Sequence, residues 1–323
     1  MSDLSVITVT YNSAAVLSDC LRSLSEHLPD AEVIVVDNGS EDDTVELAGR
    51  SPHVRVVAGH GNVGFGAGVN LGAHAASGGL LLVLNPDASL VGVDRSQLEL
   101  LREAPVVGVV GCRVRGQNPT HLKFVAWGWR SELYWALGQR FLLPREVTVR
   151  RPKRSVRART QWVAGAAFVV RRREFLEVGG FDDDFFLYFE DFDLSRAYSD
   201  RGWPIRTTDA FAVSHTGLSS SPRDEHAMAA YTLLSLIQYV HKWEGPGPAR
   251  DAASQCLRLL AAIEVIAKLC GRMPLLGNRA TRKRESARAV RSALLAAATQ
   301  SPVAGTYAAA TDALRNALDN RRA

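Results

Sequence analysis

The sequence predicts an α/β fold, a mostly parallel sheet flanked by helices and followed by a helical C-terminal region. Three observations predict it. Short apolar, β-branched runs alternate with apolar residues at helical spacing through the first part of the chain, the pattern of buried strands joined by crossover helices. Acidic turns at Asp37 and Asp87 each end such a run, on the edge where open α/β sheets bind ligands. From about Asp224 onward, strand-like runs give way to apolar stripes at helical spacing.

The elements follow in chain order. Leu4 to Val9 is a first strand, and Leu17, Cys20, Leu21 and Leu24 mark one face of a helix. Val33 to Val36 is a second strand, closed by the turn Asp37-Asn38-Gly39-Ser40. Ser40 with Asp43 is expected to cap the next helix, because a short side-chain oxygen satisfies free N–H groups at a helix start. Val54 to Val57 is a third strand. Leu80 to Leu84 is a fourth, ending at Asn85-Pro86-Asp87, and Val106 to Val110 is read as a fifth. Aromatics over 124–141 and a basic stretch over 145–159, Arg145 to Arg159, together have the look of an insertion. In the helical region Leu233, Leu236, Ile237 and Val240 form one stripe and Leu259, Ile263, Ile266 and Cys270 another, separated by Gly245-Pro246-Gly247-Pro248. An Ala- and Arg-rich tail, read as helical, follows Gly277. The expected division is a domain over 1–222 and a helical region over 223–323.

At roughly 100–200 residues per domain, a chain of 323 residues holds one large domain or a domain with an appendage. Its 46% hydrophobic and 22% charged residues argue against disorder. The net charge of +4 suits acidic partners such as diphosphates or an anionic membrane surface, and no nucleic-acid-binding motif is present. Cys20, Cys112, Cys256 and Cys270 form no CxxC pair, so neither a zinc site nor a disulfide scaffold is expected and a reducing compartment fits. Met1-Ser2-Asp3-Leu4 runs straight into a strand, so no signal peptide is expected. No apolar run approaches the roughly 18 residues of a membrane span.

Several residues have the chemistry of a site. Asp87, at the end of an apolar strand, suits a hard divalent cation that keeps phosphate or water ligands, with Asn85 placed to orient it. Asn and Asp also make good turns after strands, and either acidic turn alone is explained that way. Asn62 to Asn70 holds three glycines and two asparagines at the start of a helix, where Gly64 and Gly66 permit close backbone approach and the helix N-terminus favours phosphate. A dinucleotide-binding loop would follow the first strand; this one follows the third, which argues against a dehydrogenase. In Phe181 to Arg196 acidic residues stand among aromatics, costly unless they have a partner or a task. A carboxylate there can take a proton from a hydroxyl, with Asp191 the first candidate and Glu190 the second. The same acids also complement a helix dipole. His215 in Ala212-Val213-Ser214-His215 is either structural or a metal ligand.

Taken together these residues resemble family 2 glycosyltransferases of GT-A fold, and within them the bacterial rhamnosyltransferase-like branch. The matching segments are SVITVTYNSAAVLSDCLRSL (5–24), VIVVDNGSEDDT (33–44), GNVGFGAGVNLG (61–72), LLVLNPDA (81–88), GAAFVVRRREFLEVGGFDDDFFLYFEDFDLSRAYSDRGW (165–203) and SHTG (214–217). They cover most of residues 4–222 in the family's order.

The resemblance implies a nucleotide-sugar site in which Asp37 contacts the nucleobase beside Thr10, Tyr11 and Asn12, with Asn38, Gly64, Gly66, Asn70 and Asn85 completing it. Asn85-Pro86-Asp87 stands where the family has DxD; the first Asp is replaced, so Asp87 holds the metal alone or with His215. Asp191 matches the inverting base, and Trp162, Gly165 and Ala166 lie near the acceptor. The cofactor implied is a divalent cation, Mg2+ or Mn2+. The donor implied is dTDP-L-rhamnose, with UDP-sugars behind it, and the acceptor a glycan or a polyprenyl-diphosphate-linked sugar of cell-wall or surface polysaccharide. A cytoplasmic protein is expected, peripheral on the membrane if the basic stretch meets a lipid diphosphate, and a homodimer if the C-terminal stripes pair. Decoration of a soluble natural product is the alternative acceptor. A nucleotidyltransferase would show a glycine- and Arg/Lys-containing loop after its first strand, where this chain has Thr10-Tyr11-Asn12-Ser13. A non-catalytic carbohydrate-binding protein would not need Asp37, Asp87 and Asp191 together.

Overall fold

The computed structural model describes residues 3–114, 122–125, 160–216 and 225–270, with 284–285, 287–292 and 295. Apart from the strand Leu122–Val125, the expected aromatic and basic insertion lies outside the described residues, as does most of the tail. The described residues fall into two compact units, one within 1–125, 159–183 and 190–221, the other holding 184–189 and the C-terminal helices.

The first unit is built on strands β1 (Leu4–Thr10), β2 (Glu32–Asp37), β3 (Val54–Val57), β4 (Leu80–Leu84), β5 (Ala88–Val93), β6 (Val109–Val114), β7 (Leu122–Val125), β8 (Thr160–Val163), β9 (Ala167–Arg171) and β10 (Ile205–His215). Its helices are α1 (Ala14–His27), α2 (Thr44–Gly49), α3 (Phe65–Ala75), α4 (Arg95–Glu103), α5 (Arg172–Glu177) and α6 (Glu190–Asp200). Among the described residues the main sheet runs β3-β2-β1-β4-β9-β6-β10-β5, and β7 pairs with β8. The β3-β2-β1-β4 half is wholly parallel. Beyond it β9 runs antiparallel between β4 and β6, β10 is parallel to β6, and β5 antiparallel to β10. The sheet is therefore mixed, its parallel part lying where apolar runs are continuous.

All seven residues of β1 are buried, as a central strand covered on both faces requires. Alternate side chains feed two cores. Val6, Val33 and Leu82 pack with Leu17, Leu21 and Leu24 of α1. Ile7, Ile34 and Val83 pack with Val69 and Ala73 of α3 and with Phe168, Phe175 and Phe181. The glycines of α3 serve this second core. A Cβ on Gly72 would stand 2.5 Å from Ile7 Cγ2, one on Gly68 2.9 Å from Val9 Cγ1, and one on Gly66 2.9 Å from Phe181 Cβ.

Two expectations shift. Residues 88–103 hold β5 and α4, which the strand-to-strand reading passed over; Asp94 accepts from the N–H groups of Ser96 (3.0 Å) and Gln97 (3.2 Å) and starts α4. The strand expected over Val106 to Val110 instead runs Val109–Val114. Buried Glu174 explains this: Oε1 accepts from Val107 N–H at 2.9 Å and Oε2 from Gly108 N–H at 2.8 Å, with Gly108 left-handed at φ 74°. Replacing Glu174 with alanine strands both N–H groups in the core. The expected cost is about 3 kcal/mol, read as a lower urea midpoint at an unchanged m value; a midpoint equal to wild type would show that water replaces the carboxylate. A third correction concerns α2. Asp43 is its N-cap residue but makes no side-chain cap, and the Ser40 hydroxyl turns to Asp37.

The second unit contains α7 (Glu225–Glu244) and α8 (Pro246–Cys270). Leu233, Leu236, Ile237 and Val240 are buried as expected. The α8 stripe is displaced: Ala249, Ala252, Cys256, Leu260, Ile263 and Ala267 are buried, while Ile266 is 54% exposed. No described helix is long and apolar enough to cross a membrane.

Candidate active site

The parallel strands β1, β2 and β4 bring their carboxyl ends to one edge of the sheet, with Thr10 opposite Asp37 in register. Asp37 is buried, and four donors fill its carboxylate. Oδ1 accepts from the hydroxyls of Thr10 (2.9 Å) and Ser40, and Oδ2 from the N–H groups of Gly39 (3.1 Å) and Ser40 (2.9 Å). Asn12 is left-handed at φ 50°, which asparagine tolerates. Its N–H donates to Ser40 Oγ at 2.8 Å and its Oδ1 accepts from Glu41 N–H at 2.8 Å, so the loops after β1 and β2 are laced together. Tyr11 is half-buried on that edge.

Asn38 continues the lacing. Its N–H donates to Thr10 O at 2.8 Å, its Nδ2 to Gly64 O at 2.9 Å, and its Oδ1 faces His60 Nε2 at 3.1 Å. The fixed Asn38 amide makes Nε2 the donor nitrogen of His60. His60 was missed from the sequence, where a lone histidine between glycines carries no periodic signal. Gly64 is the N-cap residue of α3 at φ 91°. The amide of Asn70 is spent within the protein: Nδ2 donates to Phe181 O (2.8 Å) and Asp183 Oδ1 (2.9 Å), and Oδ1 accepts from Phe181 N–H (2.9 Å). Gly66 and Asn70 thus shape the site through packing and clasping.

Asp87 and His215 meet from 128 residues apart, Oδ1 to Nε2 at 3.1 Å, because β5 and β10 pair with Ala88 opposite His215. The Asp87 carbonyl accepts from Thr216 N–H at 3.1 Å and Thr216 Oγ1 at 3.2 Å. Among the described residues no hydrogen bond joins the Asn85 side chain to Asp87. Asn85 acts through its backbone instead, its N–H donating to Ala166 O at 3.0 Å. Beneath that turn burial pushes the Cys20 thiol up to about 12, with Asp87 adding to the effect, so Cys20 is an inert core residue.

At the start of α6, Asp191 Oδ2 accepts from Gly165 N–H at 3.2 Å and Oδ1 from Phe192 N–H at 2.9 Å. Trp162 stacks on Phe192 with centroids 3.8 Å apart. The turn Gly165-Ala166 therefore touches both Asp191 and the Asn85 turn. Glu190 is buried, and its Oε2 has no hydrogen-bond partner among the described residues. Burial, and then the charge of Asp191, hold its carboxyl well above the usual range.

That assignment has a pH signature. Below the ordinary glutamate value of 4.5 both folded and unfolded chains hold this proton. As pH rises past it the unfolded chain ionises first, so stability falls with pH until the folded group titrates. Glu190→Gln should remove a slope of up to about 1.4 kcal/mol per pH unit in that window. Urea midpoints of wild type and variant, compared from pH 4 upward, should diverge; parallel curves would mean that Glu190 ionises in the fold.

The donor set at Asp87 fits a divalent cation as a two-residue site. Asp87 Oδ2 is a buried carboxylate oxygen without a hydrogen-bond donor among the described residues, and the imidazole stands beside the other oxygen. Among the described residues no third His, Cys, Asp or Glu joins them, leaving the remaining positions to phosphate and water oxygens.

The model of glycosyl transferase family 2 matches residues 5–164. The N-acetylglucosaminyl-diphospho-decaprenol L-rhamnosyltransferase of Mycobacterium tuberculosis is 29% identical over 245 residues, covering 68% of this chain and 78% of that protein. Among solved structures, GalNAc-T7 with UDP, GalNAc and Mn2+ superposes with a TM-score of 0.54 at 18% identity, covering 74% of this chain; the chain spans 48% of that one. The mannosyltransferase PcManGT of Pyrobaculum calidifontis, in complex with GDP-Man and Mn2+, superposes with a TM-score of 0.50 at 19% identity, over 91% of this chain and 87% of that one. The curled mixed sheet flanked by helices is GT-A-like, with a helical C-terminal region.

Proposed function

The chain belongs to glycosyltransferase family 2, and from that premise we propose that it transfers L-rhamnose from dTDP-L-rhamnose, with inversion, to a hydroxyl of a polyprenyl-diphosphate-linked sugar in cell-wall or surface polysaccharide assembly. The observation that carries this reading is Asp191, oriented by two main-chain N–H groups and set against the Gly165-Ala166 turn that also contacts Asn85. The L-rhamnosyl group and the lipid-diphosphate acceptor follow the name of the mycobacterial relative, and the dTDP carrier follows the family resemblance.

In this mechanism Asp37, Thr10, Tyr11, Asn12 and Asn38 hold the nucleoside, with the Ser40 hydroxyl turning away to free one lone pair of Asp37. Gly64, Gly66 and Asn70 fix α3 beside it, and Trp162, Gly165 and Ala166 line the acceptor. One carboxylate oxygen of Asp191 takes the acceptor proton. The acceptor oxygen attacks the anomeric carbon as the bond from that carbon to the diphosphate oxygen breaks. The electron pair leaves with the nucleoside diphosphate, and a single displacement inverts the centre. Asp87 and His215 would hold a Mg2+ or Mn2+ ion, which when bound neutralises charge on the departing diphosphate. A lipid-diphosphate acceptor places the work at the cytoplasmic face of a membrane.

A thermal-shift panel tests the donor, since a ligand that binds only the native state raises the melting temperature. The panel holds dTDP, dTDP-L-rhamnose, UDP and UDP-sugars, each with and without Mg2+ or Mn2+. A cation-dependent rise with the dTDP ligands, followed by transfer to N-acetylglucosaminyl-diphospho-polyprenol, is expected. A rise confined to UDP ligands would move the donor to a UDP-sugar, and turnover only on soluble acceptors would remove the lipid. No rise with any nucleotide would sink the reading.

A further inference from the structure

We propose that Phe65, the first residue of α3, is a positioning residue for Asp191, acting through Gly165. The inference rests on the reading of Asp191 as the base. It starts from an aromatic side chain set between two glycines, Gly64 and Gly66, at a helix start. Phe65 is half-buried and packs on the second core. Its ring meets Phe181 edge-on with centroids 6.0 Å apart, and Phe181 in turn meets Phe168 of β9 at 6.1 Å and Phe175 of α5 at 5.7 Å. Edge-to-face rings at such separations attract one another, and Asn70 holds Phe181 by both its N–H and its carbonyl. The Phe65 ring therefore rests on a fixed support.

Against that ring lies the turn between β8 and β9. A Cβ on Gly165 would stand 3.2 Å from Phe65 Cε1 and 3.6 Å from Cζ. Gly165 is not left-handed, so its backbone would accept a side chain, and the Phe65 ring is what that side chain would meet. Both ends of the turn are tied elsewhere: Ser195 Oγ accepts from Val163 N–H at 3.3 Å, and Ala166 O accepts from Asn85 N–H at 3.0 Å. Phe65 backs the middle, where Gly165 N–H donates to Asp191 Oδ2 at 3.2 Å. That bond is at the long end of the N–H···O range, so a shift of about half an ångström is enough to lose it. The carboxylate would then lose one of the donors that fix its aim, while Ser195 keeps the body of α6 on β8. The same turn of α3 bears on the other side of the base as well, since a Cβ on Gly66 would stand 3.6 Å from Glu190 Cβ. Placement of a reacting group to a fraction of an ångström is what such a supporting shell provides.

The test uses the full chain with Gly165→Ala, with Phe65→Leu and with the two combined. A methyl added on one side and a ring shortened on the other compensate only if the two residues meet. Turnover is followed with dTDP-L-rhamnose and N-acetylglucosaminyl-diphospho-polyprenol. Hydrogen exchange is followed at the amide of residue 165 and, as an internal control, at 33–38. Each single change is expected to lower kcat about tenfold with donor KM within about twofold, and to speed exchange at 165 while 33–38 stay unchanged. The combined variant is expected to turn over about tenfold faster than Gly165→Ala, whereas independent effects would make it about tenfold slower. A combined variant no faster than Gly165→Ala, or loss of donor binding in step with kcat, would overturn the proposal. Unchanged exchange at 165 in Phe65→Leu would overturn it without recourse to the alanine variant. Full turnover by Asp191→Asn would sink the base assignment and this proposal with it. An inactive Asp191→Asn beside fully active Phe65→Leu and Gly165→Ala would sink the proposal alone.

Discussion

Asp191→Asn should lower kcat by about a thousandfold or more while the protein still binds nucleotide as wild type does. A positioned general base contributes roughly 10²–10⁴ in rate, and a thousandfold loss corresponds to about 4 kcal/mol of barrier. The substitution is nearly isosteric, so Gly165 N–H and Phe192 N–H keep an oxygen to donate to only if the amide turns its oxygen toward one of them. One of the two bonds seen at 3.2 and 2.9 Å is lost. Neither loss reaches the Asp37 side of the sheet edge, so the nucleotide-induced rise in melting temperature should survive. Initial rates at saturating donor, set beside that thermal shift, check the split. The informative comparison is with Glu190→Gln, which should keep most of the activity, because burial already holds the Glu190 carboxyl well above its usual range. If Glu190→Gln were dead and Asp191→Asn active, the two adjacent acids would have to exchange roles.

Asp87→Ala is the second large effect, expected to cut turnover about a hundredfold to a thousandfold by removing the carboxylate that would hold the cation against the diphosphate. It should also erase the difference between nucleotide melting curves taken with and without Mn2+. Stability should move the other way. Asp87 Oδ2 is buried without a hydrogen-bond partner among the described residues, and removing an unsatisfied buried oxygen relieves a cost. The apo melting temperature of Asp87→Ala is therefore expected at or above that of wild type. His215→Ala should give a smaller loss of turnover, since one carboxylate remains. A cation effect that persists undiminished in Asp87→Ala would place the ion elsewhere.

Much of this was legible along the chain because it is local. Apolar runs at Leu4, Val33 and Leu80, each closed by a polar turn, dictate a parallel half-sheet whose acids lie at one edge. What was misread was also local in cause. Residues 88–103 alternate too weakly to announce an edge strand, and the Val106 run was read as strand although Glu174, far along the chain, holds two of its N–H groups. The close packing of the α3 glycines on Ile7, Val9 and Phe181 is not visible along the chain either.

The sequence by itself determined the α/β class, the order of the first four strands and the acidic turns at their ends, because burial on two faces and turn chemistry are written in neighbouring residues. Tertiary structure alone decided which of those residues work together. It inserted β9 between β4 and β6 and joined Asp87 to His215 across the β5–β10 register. It closed Asn38 on His60, and it buried Glu190 and set Asp191 on two main-chain N–H groups. The physical reason is range. Periodicity reports a residue's own segment, whereas partner, protonation state and aim depend on what the fold packs against it from elsewhere in the chain.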